Sequence, residues 1–183
     1  MSAEKYLTTR ALDVWRTWAH TIPGDVLFFA GGNLSVAELE GRVLRLPRVN
    51  DTYPLQKKSF MMLCYVHDVM LHRFDWFVRA DDDVYVRGDA LAELLARLNA
   101  SEPLYIGQAG TGLQWEIGQL ALAAGENFCM GGPGVVYSRE LVRRLAPHFR
   151  ECMLNLYTNH EDVEIGRSSD ASLASTAPPP MRL

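Results

Sequence analysis

The sequence is poor in cysteine, has no excess of basic residues and lacks a long apolar run. Its three cysteines form no C-x-x-C pair, so a cysteine-based zinc site is not expected. The formal net charge is −4 with scattered basic residues, which argues against a nucleic-acid partner. No apolar run approaches the roughly 20 residues of a spanning helix, and MSAEKYLTTR is not a signal peptide. We expect a globular domain that, as written, cannot anchor or target itself.

Two ligand-binding signatures are also missing. No G-x-x-x-x-G-K phosphate loop occurs, which excludes a P-loop nucleotidase. A calcium loop of the EF-hand type beginning at Asp81 would need glycine where Val86 stands and glutamate where Ala92 stands. Any nucleotide or cation site must therefore be built in another way.

Strand-like apolar segments alternate with amphipathic helical segments along the chain, as is typical of an α/β fold with a largely parallel sheet covered on both faces. A glycine-rich turn within 127–134 precedes a short strand and a helix for which Ser138 is a plausible N-cap. Residues 168–183 are small, polar and proline-rich, so we expect one domain over 1–167 and a disordered tail. Strands are predicted at 26–30, 43–46, 76–80 and 104–107, and helices at 3–20, 54–71 and 90–98.

The segment WFVRADDDVYV places three carboxylates, Asp81 to Asp83, directly after a predicted strand, with only Arg79 and Arg87 nearby to neutralise them. Ligands of open α/β sheets bind beyond the carboxyl ends of the strands. Alternation along extended backbone predicts that Asp81 and Asp83 point together and that Asp82 points away. Such a D-x-D pair suits Mg²⁺ or Mn²⁺ carrying nucleotide phosphates. An acidic turn that caps the following helix is the alternative interpretation.

Two further segments contain candidate functional residues. In NFCMGGPGVVYSREL, Gly131, Gly132 and Gly134 would allow close approach of backbone to a ligand, although a structural turn would use the same residues. NHEDVEIG, residues 159–166, places Asp162 just before a predicted helix, where acidic residues are favoured in any case. Neither segment alone decides between a functional and a structural role.

Together and in this order, WFVRADDDVYV, ENFCMGGPGVVYSRE and HEDVEIG resemble the β-1,3-glycosyltransferases of the fringe and galactosyltransferase type, which have the GT-A fold. KYLTTRALDVWRTWAHTIPG, YPLQKKSFMML and LNASEPLYIGQAGTG resemble, more particularly, the N-terminal transferase half of the chondroitin synthases and chondroitin-polymerising factors. The resemblance covers about residues 1–167. It implies a GT-A-type, Rossmann-like sheet flanked by helices, incomplete at both ends.

The resemblance implies an inverting, metal-dependent transfer of glucuronate from UDP-glucuronate to the 3-hydroxyl of N-acetylgalactosamine at the end of a chondroitin chain. By the same resemblance, Asp83 is the direct ligand of Mn²⁺ or a similar ion. Asp81 and Asp82 hold the nucleotide ribose and metal-bound water, so that Asp81 also belongs to the metal site. Asp162 is the general base. The three glycines of the GGPG segment line the donor and acceptor pocket.

The sequence departs from the family pattern in three places. Family members have an apolar strand before SAEKYL, a membrane anchor before that strand, and a metal-binding histidine after the acidic motif, and none of these is present. The resemblance implies a type II membrane protein of the Golgi lumen that associates with other chondroitin synthase subunits. N-x-[ST] triplets at Asn33, Asn50 and Asn99 agree with a secretory location. The alternative is an inert fragment, or a non-catalytic subunit that stabilises an active synthase.

Overall fold

The computed structural model describes residues 1–111 and 127–174, with side chains as far as Ser169. Short 3₁₀ turns flank the first helix, and one π-helical turn extends the second. Within the described ranges, no helix has the length and apolar character to cross a membrane. The helices are α1 (Arg10–Thr17), α2 (Gln56–Tyr65), α3 (Gly88–Leu95), α4 (Arg139–Leu145), α5 (Phe149–Leu154) and α6 (Glu161–Ala174). The strands are β1 (Phe28–Ala30), β2 (Val43–Arg45), β3 (Trp76–Arg79), β4 (Tyr105–Gly107), β5 (Ala109–Gly110), β6 (Phe128–Cys129) and β7 (Val135–Ser138).

The mixture of helices and sheets confirms the predicted α/β class, but the expectation of a largely parallel sheet is wrong. β1 and β2 are parallel, whereas β7 lies between β3 and β4 and is antiparallel to both. β5 and β6 form a further antiparallel pair. The alternation of strands and helices predicted parallel neighbours, but it did not account for a strand that returns from a glycine turn and pairs in the middle of the sheet.

The pairing of β3 with β7 brings the acidic run and the glycine turn together. Arg79, the last residue of β3, is opposite Val135, the first residue of β7. The chain before Val135 is the turn that contains Gly131 and Gly134, and the chain after Arg79 is the acidic run. The register of this strand pair therefore places two of the sequence-predicted functional segments side by side.

The core forms around β7 and α4. All four residues of β7, two of them β-branched valines, are buried, as suits a central strand. The Ser138 side chain accepts a hydrogen bond from the N–H of Leu141 at 3.1 Å, which confirms the predicted N-cap of α4. Leu141, Val142 and Leu145 are then buried on one face of that helix. This rigid unit is the scaffold for the glycine turn.

A cavity of about 590 Å³ lies between β1 and β3. Phe29 of β1 and Phe77 of β3 line it, and it reaches Asp81 and Asp82 at its edge. β1 pairs with β2, and β3 pairs with β7; in the two described ranges no backbone ladder joins β1 to β3. The β1–β2 pair and the sheet around β7 are therefore separate sheets in the described ranges, and both contribute residues to the lining of this cavity.

Helix α6 extends beyond the boundary expected from the sequence. The Ser168 hydroxyl donates to the carbonyl of Glu164 at 2.8 Å, and the Ser169 hydroxyl donates to that of Ile165 at 2.9 Å. These bonds return to the preceding turn, and Ser169 is fully buried, so small polar residues continue the helix. Helix α6 thus includes residues 168–174 of the expected tail, and residues 175–183 lie outside the described residues.

Candidate active site

The acidic run is a turn, not an extended strand end, and its three carboxylates separate into two groups. Asp81 pairs with Arg79 at 3.1 Å. Asp82 and Asp83 instead share Arg10, at 3.5 and 3.1 Å. Exposure nevertheless alternates along the run, since the side chains of Asp81 and Asp83 are 36% and 57% exposed and that of Asp82 is 6% exposed. The expectation that Asp81 and Asp83 point together stays a prediction.

Asp82 is the buried member of the run, with a side chain 6% exposed. Its carboxylate accepts a hydrogen bond from the Ser2 hydroxyl at 2.6 Å and faces Arg10. Buried carboxylates need such partners, because an unpaired charge is costly to desolvate. Asp82 thus stabilises the contact between the acidic run and the N-terminal segment, and its role towards the nucleotide remains a prediction.

Arg79 is a buried cation, 6% exposed, at the end of β3. One arm of its guanidinium donates to the carbonyl of Gly131 at 2.7 Å. The other contacts Asp81 and also donates to Glu161, the first residue of α6. A single side chain therefore links the acidic run, the glycine turn and the start of α6.

Asp162 follows Glu161 in the first turn of α6. Its carboxylate accepts hydrogen bonds from the backbone N–H of Gly131 at 3.1 Å and of Val163 at 3.0 Å. Burial raises the pKa of the neighbouring Glu161, although Arg79 and the Ser59 hydroxyl oppose this by stabilising its charged form. The structure thus brings the predicted base into one connected network with Arg79 and Asp81.

The three glycines have different physical reasons for lacking a side chain. A Cβ at Gly131 would lie 2.7 Å from Nη1 of Arg79 and 3.5 Å from Cβ of Asp162. Gly134 has a φ of +100°, which disfavours L side chains. Gly132 faces open space, where a Cβ would meet no described atom within 4 Å. Gly131 and Gly134 are needed by the fold, whereas Gly132 alone borders free volume.

Two carboxylates of the acidic run are accessible to a cation. The side chains of Asp81 and Asp83 are 36% and 57% exposed. Among the residues whose positions are described, no three His, Cys, Asp or Glu side chains are grouped to hold a metal ion. Mg²⁺-like ions are commonly bound by one or two carboxylates while substrate phosphates and water supply the remaining ligands. The donor chemistry therefore fits a cation that arrives with a nucleotide.

Sequence reasoning identified the carboxylates but missed most of their partners. Arg79 was noted as a neighbouring positive charge, and the structure pairs it with Asp81. Arg87, noted in the same way, is exposed and pairs with Asp89 at 2.9 Å instead. Arg10 is distant in sequence from the acidic run, and only the tertiary structure brings it there. An arginine in the last position of a predicted strand was the one available sequence signal.

Comparison with known proteins identifies a family and several relatives of this chain. The Fringe-like family matches residues 1–174, which includes the extension of α6. Chondroitin sulfate synthase 3 of Mus musculus is 55% identical over 172 residues, covering 91% of this chain and 20% of that protein. Chondroitin sulfate glucuronyltransferase of Homo sapiens is 29% identical over 172 residues, with the same two coverages. A glycoprotein-N-acetylgalactosamine 3-beta-galactosyltransferase 1 of Xenopus laevis is 28% identical over 166 residues, or 91% of this chain and 42% of that protein.

The chain spans about a fifth of the length of the chondroitin sulfate synthase 3 proteins that it matches. The family match, in contrast, covers most of the chain, and it includes β3 with its acidic run, the glycine turn and α6. These comparisons confirm the resemblance drawn from the three motifs. The chain belongs to the Fringe-like family and is, at the level of that family, a glycosyltransferase domain.

Proposed function

We propose that this domain catalyses the inverting transfer of glucuronate from UDP-glucuronate to the 3-hydroxyl of a terminal N-acetylgalactosamine on a chondroitin chain. The observation that carries this proposal is the hydrogen-bonded connection between the acidic run and Asp162 through Arg79 and Gly131. A donor site and a base must be close together for direct transfer. The identity with chondroitin sulfate synthase 3 favours a chondroitin substrate.

The proposed roles follow from exposure and bonding. Asp83 and Asp81, the two accessible carboxylates, would hold Mn²⁺ or a similar cation. When bound, this cation would supply positive charge that offsets the diphosphate of the UDP donor. Asp162 would accept the proton of the acceptor 3-hydroxyl, held in place by the N–H groups of Gly131 and Val163. Gly132, beside open space, would border the sugar pocket.

A second candidate is a non-catalytic domain that stabilises an active synthase. It is favoured by the ion pairs of Arg10 with Asp82 and Asp83, which engage two carboxylates of the acidic run. The exposed Arg10–Asp83 pair is weak, however, since pairs of this kind contribute about 0–1 kcal/mol. A cation and a diphosphate can therefore displace it at little cost.

Labelled UDP-glucuronate and a chondroitin oligosaccharide ending in N-acetylgalactosamine distinguish the two candidates. The protein in its longest natural form should transfer label with Mn²⁺ and should lose transfer when EDTA is added. UDP-galactose and UDP-N-acetylgalactosamine serve as competing donors that test sugar choice. Absence of transfer from all three donors, together with increased activity of a co-expressed synthase, would favour the non-catalytic role.

We further propose a location in the Golgi lumen. Asn33, Asn50 and Asn99, the acceptors of the three glycosylation triplets, are all exposed. Expression of the longest natural form in secretory cells should give bands that shift after glycosidase treatment. Unshifted bands would remove this support, and substitution of each asparagine by glutamine would identify the modified positions.

A further inference from the structure

We infer that Arg79 is a positioning residue for the transfer reaction, acting on Asp162 through Gly131 and Glu161. This inference rests on the proposed function, because it assigns Arg79 a role in the same site. Arg79 does not face the exposed side of that site, since its side chain is 6% exposed. Its effect on catalysis is therefore indirect.

Two routes lead from the Arg79 guanidinium to Asp162. On the first, Nη1 donates to the Gly131 carbonyl at 2.7 Å, and the N–H of the same glycine donates to Asp162 at 3.1 Å. On the second, Nη2 donates to Glu161, which precedes Asp162 in the first turn of α6. Movement of the guanidinium would therefore shift both the donor that holds Asp162 and the helix that carries it.

The surroundings of Arg79 leave little room for another arrangement. A Cβ at Gly131 would come within 2.7 Å of Nη1, so the turn packs directly against the guanidinium. The other carboxylate oxygen of Glu161 accepts a hydrogen bond from the Ser59 hydroxyl on α2. Only the planar fork of arginine offers separate donors in fixed directions to these acceptors, whereas lysine presents a single ammonium.

The first test replaces Arg79 by lysine, which keeps the charge and removes the fork. Transfer per UDP-binding site should fall by a factor of about 100, the order of loss expected from a misplacement of about 1 Å. Arg87→Lys is the matched control, because Arg87 is exposed and pairs with Asp89 outside the site. Near-normal turnover of Arg79→Lys would overturn the inference.

A double-variant cycle separates positioning from a general structural role. If Arg79 acts through Asp162, Arg79→Lys should change the residual rate of an Asp162→Asn protein by less than about threefold, because residues that act as a unit are not additive. If Arg79→Lys only impaired folding, it would lower the transfer rate by the same factor in the unaltered protein and in the Asp162→Asn protein. The same roughly 100-fold loss in both backgrounds would therefore overturn the inference.

Hydrogen exchange of the Gly131 amide tests the positioning role even if no donor supports transfer. Inactivity of the unaltered protein would count against the proposed function alone. In Arg79→Lys, exchange at Gly131 should become at least about tenfold faster, because the hydrogen bond to Asp162 is loosened. The Leu141 amide, bonded to Ser138 in the same stretch of chain, is the internal control and should not change. Unchanged exchange at Gly131 would refute the positioning role.

Discussion

The backbone N–H of Gly131 donates to the Asp162 carboxylate at 3.1 Å, across 31 residues of sequence. The turn before β7 and the first turn of α6 are therefore one hydrogen-bonded unit. Because Val163 supplies a second N–H at 3.0 Å, the Asp162 carboxylate is oriented by backbone groups before any substrate binds. Such preorganisation is what a general base requires if it is not to lose free energy on reorientation.

Asp162→Asn should lower transfer by a factor on the order of 100 to 10,000 while the affinities for UDP and Mn²⁺ stay nearly unchanged. Asparagine keeps an oxygen that can accept from Gly131, but it cannot take up the acceptor proton. Single-turnover transfer of labelled glucuronate measures this effect. Asp89→Asn is the control, because Asp89 is an exposed carboxylate in the first turn of α3 and should be replaceable with turnover intact. Near-normal transfer by the Asp162 variant would show that Asp162 is not the base and only contributes a charge at the start of α6.

Gly131→Ala should destabilise the fold by roughly 1–3 kcal/mol, the usual cost of overpacking. Its Cβ would lie 2.7 Å from Nη1 of the buried Arg79 side chain, which is held by three partners and cannot retreat cheaply. Gly132→Ala, one residue away, places its Cβ in open space and should change the free energy of unfolding by less than about 0.5 kcal/mol. Urea unfolding of both variants measures the difference, and equal stabilities would contradict the close packing of the turn against Arg79.

Asp83→Asn should weaken UDP binding in the presence of Mn²⁺ by at least about tenfold, and binding with chelator present should be weak in both proteins. The physical reason is that Asp83 is the most exposed carboxylate of the acidic run, so it is the one most accessible to an arriving cation. Isothermal titration calorimetry of UDP into each protein, once with Mn²⁺ present and once with EDTA present, measures these affinities. Equal UDP affinities in the two conditions would contradict a metal-dependent donor site.

Glu140→Gln should lower the free energy of unfolding by about 1 kcal/mol at pH 7, with a difference that shrinks in acid. Hydrogen bonds from Arg143 and then Arg144 lower the pKa of Glu140 from 4.5 to about 2. Because the folded-state pKa is lowered, the stabilisation is present above the unfolded value and is lost as the pH falls from about 4.5 towards 2. Arg143 is exposed, so solvent screening limits the size of the effect.

Chemical denaturation at pH 7, 5 and 3 follows this pH dependence. Glu93→Gln removes an exposed i,i+4 pair with Arg97 on α3 and is the matched control, with an expected change below about 0.5 kcal/mol at each pH. If the loss of unfolding free energy caused by Glu140→Gln grew as the pH fell, it would contradict the lowered pKa of Glu140.

Local sequence patterns predicted the elements well, because helix periodicity, apolar runs and caps are short-range properties. Ser138 is an example: its side chain caps α4 as its position between a strand and a helix suggested. Strand direction was not accessible in the same way. The central position of β7 depends on which strand edges meet in space, and a linear pattern does not contain that information.

The sequence predicted which residues form the candidate site better than it predicted how they are arranged. The position of Asp81 to Asp83 just after a strand was correct, since β3 ends at Arg79. The ion pairs of Asp82 and Asp83 with Arg10 could not be predicted, because Arg10 is distant in sequence and only the fold brings it to the acidic run. The partner of Asp162 could not be predicted either, since a backbone N–H is present at nearly every position and carries no residue signature.

The shared guanidinium of Arg79 also constrains how this domain can diverge. A substitution at position 79 that removes either arm leaves the buried Gly131 carbonyl or the half-buried Glu161 carboxylate without that donor. A side chain at position 131 would displace the guanidinium itself. A substitution at any one of the three positions therefore requires compensating substitutions at the others. Among related sequences, the residues at positions 79, 131 and 161 should covary.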